Sequence, residues 1–537
     1  MSRDMVREPC EVDCTSSVRQ GASFHNSCKG PVSVNNISRT ARSVTFAAVV
    51  GLSLGISAPG ALAQDNTSTP PTAVEGTTTP KGNIDFSKKG SITLHKKLGA
   101  ESGTNATGKE MNDVPGEALD GVTFKITKLN YDLQNGDWSK FPKKVADVND
   151  ENKTTTTFDE KTVDGKATFS DLDLGIYLVE EIGVPEDRVD EDGNPVKIVK
   201  GAPFLVSVPM VNEQSDEWNY DVIAYPKNTE SKTVKTVKDA DKNIQDEYTY
   251  TIEADAPQFD GDEKKLKKFE FSDKLDKRLR FQEVTAVKAG DTVLTEADYE
   301  VTAPDPEGTN TLEVKLTDAG LAKVKSGDKM SLTFGVKRTE VGKSTDVKNQ
   351  ADVVFNNPNT DEDVTQKTNE VVTYHGKLKV VKKDGKEAGA LLPGAEFKLY
   401  QCADQDNLGD AISINGKDSW TTGEDGTFTI DGLHVTDYEN DAEAPATKKF
   451  CLEETKAPAG YALPENTITE IDFTRENLKA TGEYGDDEVT LVSQIENLKQ
   501  GTPNLPMTGG AGVGILAAIG AAIVAAGAWF ARRTSRA

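Results

Sequence analysis

Apolar and polar residues alternate in short runs along most of the chain from Ile92 onward. Val, Ile, Thr, Tyr and Phe recur in these runs, and clusters of turn-forming residues separate them. A period of two residues places every second side chain on one face of a β-strand. The pattern therefore predicts an all-β protein made of several small domains, each with its own core.

One layout of three strands occurs twice in the chain. It consists of an apolar strand that ends in Lys, a strand of the form Leu-x-Gly-(Ala or Val)-x-Phe, and a later aromatic strand that ends in Glu. The segments are residues 92–96, 119–124 and 175–181, and then residues 378–382, 392–397 and 450–455. This repeat predicts two domains of one type, at residues 91–228 and 374–500. Residues 229–373 have a different strand spacing and are predicted to form a β domain of another subtype.

The N-terminal region has the features of an export signal. Two arginines precede the apolar run 44–56, and small residues stand at Ala61 and Ala63. We expect a leader at residues 1–63 with cleavage after Ala63. The leader is long, so either the export signal is unusually extended or the start codon is mis-assigned. Residues 64–90, which begin with a Thr-, Pro- and Ser-rich stretch, are predicted to be a flexible segment.

The C-terminal region, residues 501–537, predicts a surface anchor. Residues 505–509 read Leu-Pro-Met-Thr-Gly, an apolar run follows at 511–531, and three arginines lie beyond it. The run is long enough to cross about 30 Å of hydrocarbon as a helix. The arginines are expected to stay in the cytoplasm, so the domains before the run lie outside. An ordinary tail anchor is the alternative, although it needs no such pentapeptide.

The composition excludes several classes of function. The chain of 537 residues has 62 Lys and Arg against 88 Asp and Glu, a net charge of −26. Such a surface repels nucleic acid. Four His and five Cys, without C-x-x-C or H-E-x-x-H spacing, give little material for a transition-metal site. The order of residues also supports no Ser-His-Asp site and no G-x-S-x-G elbow, so the chain is predicted not to be an enzyme.

Two cysteines remain after the predicted leader is removed. They are Cys402 and Cys451, and the other three lie in residues 1–63. An even number of cysteines outside the cytoplasm favours a Cys402–Cys451 disulfide. Two unpaired thiols are the alternative interpretation.

Several polar residues are in phase with the apolar residues of their strands and are predicted to point into a core. Two sets each contain a lysine, a carboxylate and an asparagine, namely Lys235, Asp273 and Asn349, and Lys382, Glu454 and Asn497. Burial of each group alone would be costly, so the three members of a set are expected to meet. Lys232 and Lys238 are alternative lysines for the first of these sets.

Such a trio has two interpretations. It forms a buried ion pair with an asparagine neighbour, or it reacts with itself. Burial disfavours both the ammonium and the carboxylate, so amine and acid are neutral near neutral pH. The amine then attacks the asparagine carbonyl while the acid transfers protons, which expels ammonia and leaves a Lys–Asn isopeptide bond.

Several segments of the last domain resemble the CnaB-type domain. They are the residues around Lys382 and Asp384, residues 392–397, Glu454-Thr455-Lys456-Ala457-Pro458-Ala459-Gly460-Tyr461, and Asn497. This resemblance implies an immunoglobulin-like sandwich and a Lys382–Asn497 isopeptide bond assisted by Glu454.

Residues 229–373 are similar to the CnaA type through Lys235-Thr236-Val237-x-Asp239, Asp273-x-Leu275 and Asn349-Gln350-Ala351. That similarity implies a Lys235–Asn349 bond assisted by Asp273.

The first domain matches the CnaB type at Lys96, Glu181 and Asn228. The resemblance implies a Lys96–Asn228 bond assisted by Glu181. Ile182 stands where the family has Thr, and some members lack this bond. A first domain without a crosslink is therefore the alternative interpretation. The implied fold is CnaB-like, CnaA-like and CnaB-like sandwiches in tandem, with a C-terminal transmembrane helix in the precursor.

The end of the first domain resembles the pilin motif W-x-x-x-V-x-V-Y-P-K. It runs from Trp218 to Lys227, with Ala224 in place of the second Val. Strand parity predicts that Asn228 faces the core and that Lys227 faces solvent. Pro226 donates no backbone hydrogen bond, which suits a strand end that a large enzyme reaches.

These motifs cover nearly the whole exported chain and resemble the sortase-assembled shaft pilins of corynebacteria and actinomycetes. The resemblance implies cleavage between Thr508 and Gly509 by a pilus-specific class C sortase, which joins Thr508 to Lys227 of another subunit. Further implied partners are accessory pilins, a housekeeping sortase and peptidoglycan for wall anchorage, and, indirectly, a host receptor. The alternatives are a monomeric wall-anchored adhesin and a basal or tip pilin.

No cofactor is expected. Two acidic runs, residues 187–194 and 356–363, have oxygen-rich side chains that suit calcium. Neither run fits the twelve-residue calcium loop, so solvated acidic loops are the favoured interpretation.

Overall fold

The computed structural model describes residues 84–99, 107–186, 188–211, 218–259, 264–387, 389–445, 447–478 and 487–500. These residues form β-strands and one short α-helix, with three turns of 3-10 helix. The strands pack as successive two-layered sandwiches around separate hydrophobic cores. The predicted all-β fold of tandem sandwiches is therefore confirmed.

The N-terminal sandwich packs a four-stranded sheet against a three-stranded sheet. Its strands are β1 (Gly90–His95), β2 (Lys97–Leu98), β3 (Glu117–Ala118), β4 (Thr123–Leu129), β5 (Lys153–Lys161), β6 (Lys166–Leu172), β7 (Gly175–Gly183), β8 (Arg188–Val189), β9 (Pro195–Val199), β10 (Phe204–Val208), β11 (Met210–Val211), β12 (Trp218–Asn219) and β13 (Asp221–Ala224). The sheet orders are β10-β7-β4-β5 and β13-β1-β6. The 3-10 turns Trp138–Lys140, Val145–Asp147 and Asp150–Asn152 lie between β4 and β5.

The middle sandwich holds the second core. Its strands are β14 (Lys227–Lys238), β15 (Glu247–Asp255), β16 (Phe269–Lys274), β17 (Leu279–Ala289), β18 (Thr292–Val293), β19 (Tyr299–Thr302), β20 (Thr311–Leu316), β21 (Lys329–Arg338), β22 (Asp346–Asn349), β23 (Ala351–Asn356) and β24 (Asp363–Lys367), with helix α1 (Asp318–Leu321) between β20 and β21. The sheet orders are β18-β17-β21-β15-β14 and β19-β20-β16-β23-β24.

The C-terminal sandwich holds the third core. Its strands are β25 (Val371–Asp384), β26 (Glu396–Asp404), β27 (Asn407–Ala411), β28 (Trp420–Thr421), β29 (Thr427–His434), β30 (Tyr438–Glu439), β31 (Ala442–Glu443), β32 (Lys449–Lys456), β33 (Ile468–Ile471) and β34 (Thr490–Asn497). β25 lies between β29 and β34 in one sheet, and the facing sheet has the order β27-β26-β32-β33.

Two long strands connect one sandwich to the next. β14 pairs with β2 and β9 at its start and with β15 at its end. β25 pairs first with β22 and then with β29 and β34. Burial alternates along most of both strands, as the sequence pattern predicts. Each strand therefore carries core side chains into two successive sandwiches without an intervening linker.

The loop between β14 and β15 docks on the C-terminal sandwich. Ile244 belongs to the C-terminal core, and its backbone N–H donates to Gly432 O at 2.7 Å. Asp239 is buried, and its Oδ2 lies 3.0 Å from His434 Nε2. Its Oδ1 accepts the backbone N–H of Asn440 at 2.7 Å. The middle and C-terminal sandwiches thus share a buried polar joint.

Replacing Asp239 by Ala is expected to destabilise this joint. The change leaves His434 Nε2 buried without its carboxylate partner and removes the acceptor of the Asn440 N–H at the part-buried edge of the joint, a loss of about 3 kcal/mol in the free energy of unfolding. Denaturant unfolding measures it. Asp431→Ala is the control, because Asp431 is half exposed and pairs with Lys377 at the surface of the C-terminal sandwich, and it should cost at most about 1 kcal/mol. Equal midpoints for the two variants would contradict a stabilising joint.

Candidate functional site

The C-terminal trio of Lys382, Glu454 and Asn497 meets inside its sandwich. β25 and β34 are parallel neighbours, and Glu454 projects from β32 of the facing sheet. Lys382 Nζ donates to Asn497 Oδ1 and lies 2.9 Å from Glu454 Oε2. Asn497 Nδ2 donates to Glu454 Oε1 at 2.6 Å. All three residues are at most 2% exposed, and burial lowers the pKa of Lys382 against the opposing effect of Glu454.

The middle trio is also buried. Lys235 of β14 donates to Asp273 of β16 in the facing sheet, and both side chains are fully enclosed. Burial lowers the pKa of Lys235 and raises the pKa of Asp273, so it favours the neutral amine and the neutral acid. Asn349 is buried, and within the described residues its carboxamide makes no hydrogen bond of normal geometry. The alternatives Lys232 and Lys238 are exposed, so Lys235 is the lysine that reaches this site.

The N-terminal trio has the same arrangement as the C-terminal one. Lys96 Nζ donates to Glu181 Oε1 and to Asn228 Oδ1, the second at 2.6 Å. Asn228 Nδ2 donates to Glu181 Oε2 at 2.9 Å, and the Gly201 N–H donates to the same oxygen at 3.1 Å. Ile182, which departs from the family pattern, is 45% exposed and points away from the trio. The departure therefore leaves the geometry intact.

The prediction that Lys227 faces solvent is wrong. Lys227 is 8% exposed, and Asn228 beside it is also buried. β13 ends at Ala224 and β14 begins at Lys227, so the two residues between them interrupt the alternation on which the prediction relied. Lys227 instead lies directly opposite Lys97 of β2 in a parallel pair.

Cys402 and Cys451 form a disulfide in the structure. It joins the neighbouring strands β26 and β32, with 5.9 Å between the two Cα atoms. The bond closes a loop with a sequence separation of 49. It lies in the same sandwich as the C-terminal trio and constrains the same pair of strands that positions Glu454.

Replacing both cysteines by alanine is expected to lower the free energy of unfolding by about 4 kcal/mol, because the unfolded chain regains the freedom of that loop. Chemical denaturation of the double variant measures the loss. Unfolding of the wild-type protein under reducing conditions should match the double variant. An unchanged midpoint in both experiments would show that the disulfide adds no stability.

An aromatic ring stands beside the amine of each trio. The distances from Nζ to the ring centre are 5.6 Å for Lys96 and Phe124, 4.6 Å for Lys235 and Tyr250, and 5.8 Å for Lys382 and Phe397. Phe124 and Phe397 are the last residues of the Leu-x-Gly motif in their domains, whereas Tyr250 belongs to no motif of the sequence. Strand alternation around Tyr250 marks it as a core residue, but no local pattern shows which lysine it contacts.

The remaining predicted features fall on or near residues that the structure does not describe. Thr508, Gly509, the leader 1–63 and the apolar run 511–531 all lie outside the described residues. Within the described ranges, no helix has the length and hydropathy to cross a membrane.

In the described parts of the two acidic runs, Asp190 pairs with Lys232, Asp361 with Lys267, Glu362 with Lys200 and Asp363 with Lys268. No group of three metal-ligating side chains occurs among the described residues.

Known families match two parts of the chain. Residues 87–229 match the family model for the N-terminal domain D1 of Gram-positive pilin subunits, and residues 376–487 match the model for a prealbumin-like fold domain. The first match contains the N-terminal trio with Lys227. The second contains Lys382 and Glu454.

Whole-chain relatives agree with these matches. Fimbrial subunit type 2 of Actinomyces naeslundii is 30% identical over 503 residues, covering 82% of this chain and 89% of that protein. Fimbrial subunit type 1 of Actinomyces viscosus is 29% identical, covering 87% and 94%. The solved structure of the full-length major pilin SpaD from Corynebacterium diphtheriae is 65% identical, with a TM-score of 0.71 over 78% of this chain and 99% of that one.

The chain therefore belongs to the family of Gram-positive fimbrial subunits. It is a structural subunit of a cell-surface pilus, which confirms the function predicted from the sequence motifs. Its relatives are structural proteins rather than enzymes.

Proposed function

We propose that the chain is the shaft subunit of a covalent fimbria, in which a pilus-specific class C sortase joins Thr508 of one subunit to Lys227 of another. The observation that carries the proposal is the place of Lys227 at the end of the pilin motif, inside the matched pilin domain. Because Lys227 is 8% exposed, the proposal requires the sortase to expose this amine when it binds. Lys227 begins β14, stands next to Asn228 of the N-terminal trio, and lies on the strand that continues to Lys235 of the middle trio. A load applied at Lys227 therefore passes directly into two crosslinking sites.

Each trio forms an isopeptide bond in this proposal, through Lys96–Asn228, Lys235–Asn349 and Lys382–Asn497. The bond from lysine Nζ to asparagine Cγ forms, the bond from Cγ to Nδ2 breaks, and ammonia leaves. Glu181, Asp273 and Glu454 carry protons between the amine and the leaving group. In the outer trios, Glu181 and Glu454 already accept a hydrogen bond from the asparagine Nδ2 that departs. The contacts in the outer trios and the neutral forms favoured by burial in the middle trio support this chemistry.

The domains of the mature subunit are proposed to be residues 91–228, 229–373 and 374–500, after a flexible segment at 64–90. Export removes residues 1–63. The sorting signal at 501–537 holds the precursor at the membrane until cleavage after Thr508. A housekeeping sortase then attaches the finished fimbria to peptidoglycan, and accessory pilins complete it. Head-to-tail joining of identical subunits gives an open fibre rather than a closed oligomer.

The crosslinks have a mechanical purpose in such a fibre. In the outer sandwiches, lysine and asparagine stand on or next to neighbouring parallel strands, β1 and β2 with β13 and β14, and β25 with β34. Hydrogen bonds alone would separate under tension, whereas a covalent bond between these strands holds the first and last strands of a sandwich together.

Expression on a Gram-positive cell together with the pilus-specific sortase tests the proposal. We expect a ladder of high-mass polymer that resists boiling in detergent, because the subunits are joined covalently. A sortase with its active-site cysteine replaced is the matched control and should give monomer alone. A single monomer band with the active sortase would instead favour the monomeric wall-anchored adhesin.

A further inference from the structure

A row of side chains on one sheet faces the amine of the middle trio. Val237, Tyr250 and Phe334 lie directly opposite one another in β14, β15 and β21. Lys235 is two residues before Val237 on the same face, so it is a diagonal neighbour of Tyr250. Its Nζ lies 4.6 Å from the centre of the Tyr250 ring and 5.5 Å from that of Phe334. Two rings therefore border the amine from its own sheet.

The outer trios place their ring differently. Phe124 lies directly opposite Glu181, and Phe397 lies directly opposite Glu454, so both rings stand on the sheet of the carboxylate. The residues directly opposite Asp273 are aliphatic. The middle trio thus has rings on the side of the lysine, and Asp273 contacts the amine from the facing sheet.

The Tyr250 ring is itself fixed in place. It is fully buried, and its centre lies 5.8 Å from that of Phe334 and 5.7 Å from that of Tyr248. Burial raises the pKa of the Tyr250 phenol well above its ordinary value, so the ring stays neutral. A neutral ring face can accept an N–H contact from the uncharged amine and forms no ion pair that would keep the amine protonated.

We propose that Tyr250 is a positioning residue for the middle crosslink, and that its ring face holds the Lys235 amine for attack on Asn349. This inference rests on the proposed self-crosslinking function. A lysine side chain carries about 2 kcal/mol of rotamer entropy, and a displacement of about 1 Å between reacting atoms can slow a reaction by about 100-fold. A rigid ring beside the amine restricts the lysine side chain before the reaction and keeps the amine close to the position from which it attacks.

The scheme assigns no proton transfer to Tyr250. The bond from Lys235 Nζ to Asn349 Cγ forms, the bond from Cγ to Nδ2 breaks, and one proton passes from Nζ through Asp273 to the departing nitrogen, which leaves as ammonia. No oxidant or further reactant is needed. The ring should therefore be essential for speed, and the hydroxyl should be dispensable.

The test measures how fast the Lys235–Asn349 crosslink appears. The full-length chain is made in a short cell-free translation pulse, quenched in acid at intervals and mapped by peptide mass spectrometry. Tyr250→Leu and Tyr250→Met are expected to slow this crosslink at least about tenfold. Tyr250→Phe keeps the ring and should react at the wild-type rate. The Lys382–Asn497 crosslink, read from the same digests, should form at an unchanged rate in all variants.

Phe355→Leu is the matched control, because Phe355 is a fully buried aromatic residue of the same core whose ring stacks on Phe269 with 6.1 Å between ring centres. It should leave the rate unchanged. The proposal is overturned by a wild-type rate in Tyr250→Leu and Tyr250→Met, by equal slowing in Tyr250→Phe, which assigns the effect to the hydroxyl, or by equal slowing in Phe355→Leu, which assigns it to general packing. Absence of the crosslink from wild-type protein contradicts the proposed function instead.

Discussion

Replacement of Lys227 by alanine is expected to abolish polymerisation completely and leave only monomer on cells that carry the pilus-specific sortase. The reason is chemical, since alanine has no amine to accept the Thr508 acyl group from the sortase. Detergent-resistant ladders on a denaturing gel of cell-wall extracts measure the effect. The loss should be total rather than partial, because the proposed chain growth depends on one acceptor in each subunit.

The matched control is Lys97→Ala. Lys97 lies directly opposite Lys227 in the parallel pair of β2 and β14, so this change removes a neighbouring lysine from the same part of the sandwich. It should leave the ladder intact. A ladder in the Lys227→Ala strain would show that another lysine is the acceptor, and loss of the ladder in both strains would indicate a folding defect at this strand pair.

Replacement of Glu454 by glutamine is expected to prevent the C-terminal crosslink. Glutamine keeps the size of the side chain but removes the acid that carries protons between Lys382 and Asn497. The protein should retain one ammonia, about 17 Da, relative to the wild type. The bond bridges a sequence separation of 115, so its loss should cost about 5 kcal/mol in the chain-entropy treatment of a crosslink. This corresponds to a fall in the unfolding temperature on the order of 20 °C for a domain of this size.

Glu453→Gln is the control for this prediction. Glu453 is the preceding residue on β32 and accepts a hydrogen bond from Tyr400 OH at the partly exposed side of the sheet. Its replacement should leave both mass and unfolding temperature near their wild-type values. A Glu454→Gln protein with the wild-type mass and stability would contradict a role for Glu454 in bond formation.

Strand alternation predicts the C-terminal trio, and it predicts the middle trio with Lys232 and Lys238 left as alternatives to Lys235. Lys382, Glu454 and Asn497 are each in phase with apolar neighbours, and a buried charge that cannot be left alone must find its partners in the same core. The phase of a residue in its strand is read from local sequence, and the free-energy cost of burying an unpaired charge is the same in any fold. The three residues can therefore be assigned to one site without knowing which strands pair.

Strand alternation predicts the wrong orientation for Lys227, because alternation holds only within an uninterrupted strand. The break between Ala224 and Lys227 changes the phase, and both Lys227 and Asn228 turn inward. Tyr250 was missed for a different reason. Its contact with Lys235 depends on the register between β14 and β15, which the sequence of either strand alone does not determine.

The contact between Asp239 and His434 is likewise not determined by local sequence. The two residues are far apart in sequence, and their contact requires the loop after β14 to dock on another sandwich. The sequence predicted three separate cores, but not that Ile244 would belong to the third rather than the second. Pairing between distant segments is a property of the assembled fold.

The most direct measurement is the mass spectrometry of peptides from purified fimbriae. Protease digestion should release a branched peptide in which the Thr508 carbonyl is joined to the Lys227 side-chain amine, since that bond is the link between successive subunits. Its yield should approach one branched peptide for each subunit of a long fibre. Fimbriae whose digests contain Lys227 only as an unmodified residue, with Thr508 joined elsewhere, would contradict the account.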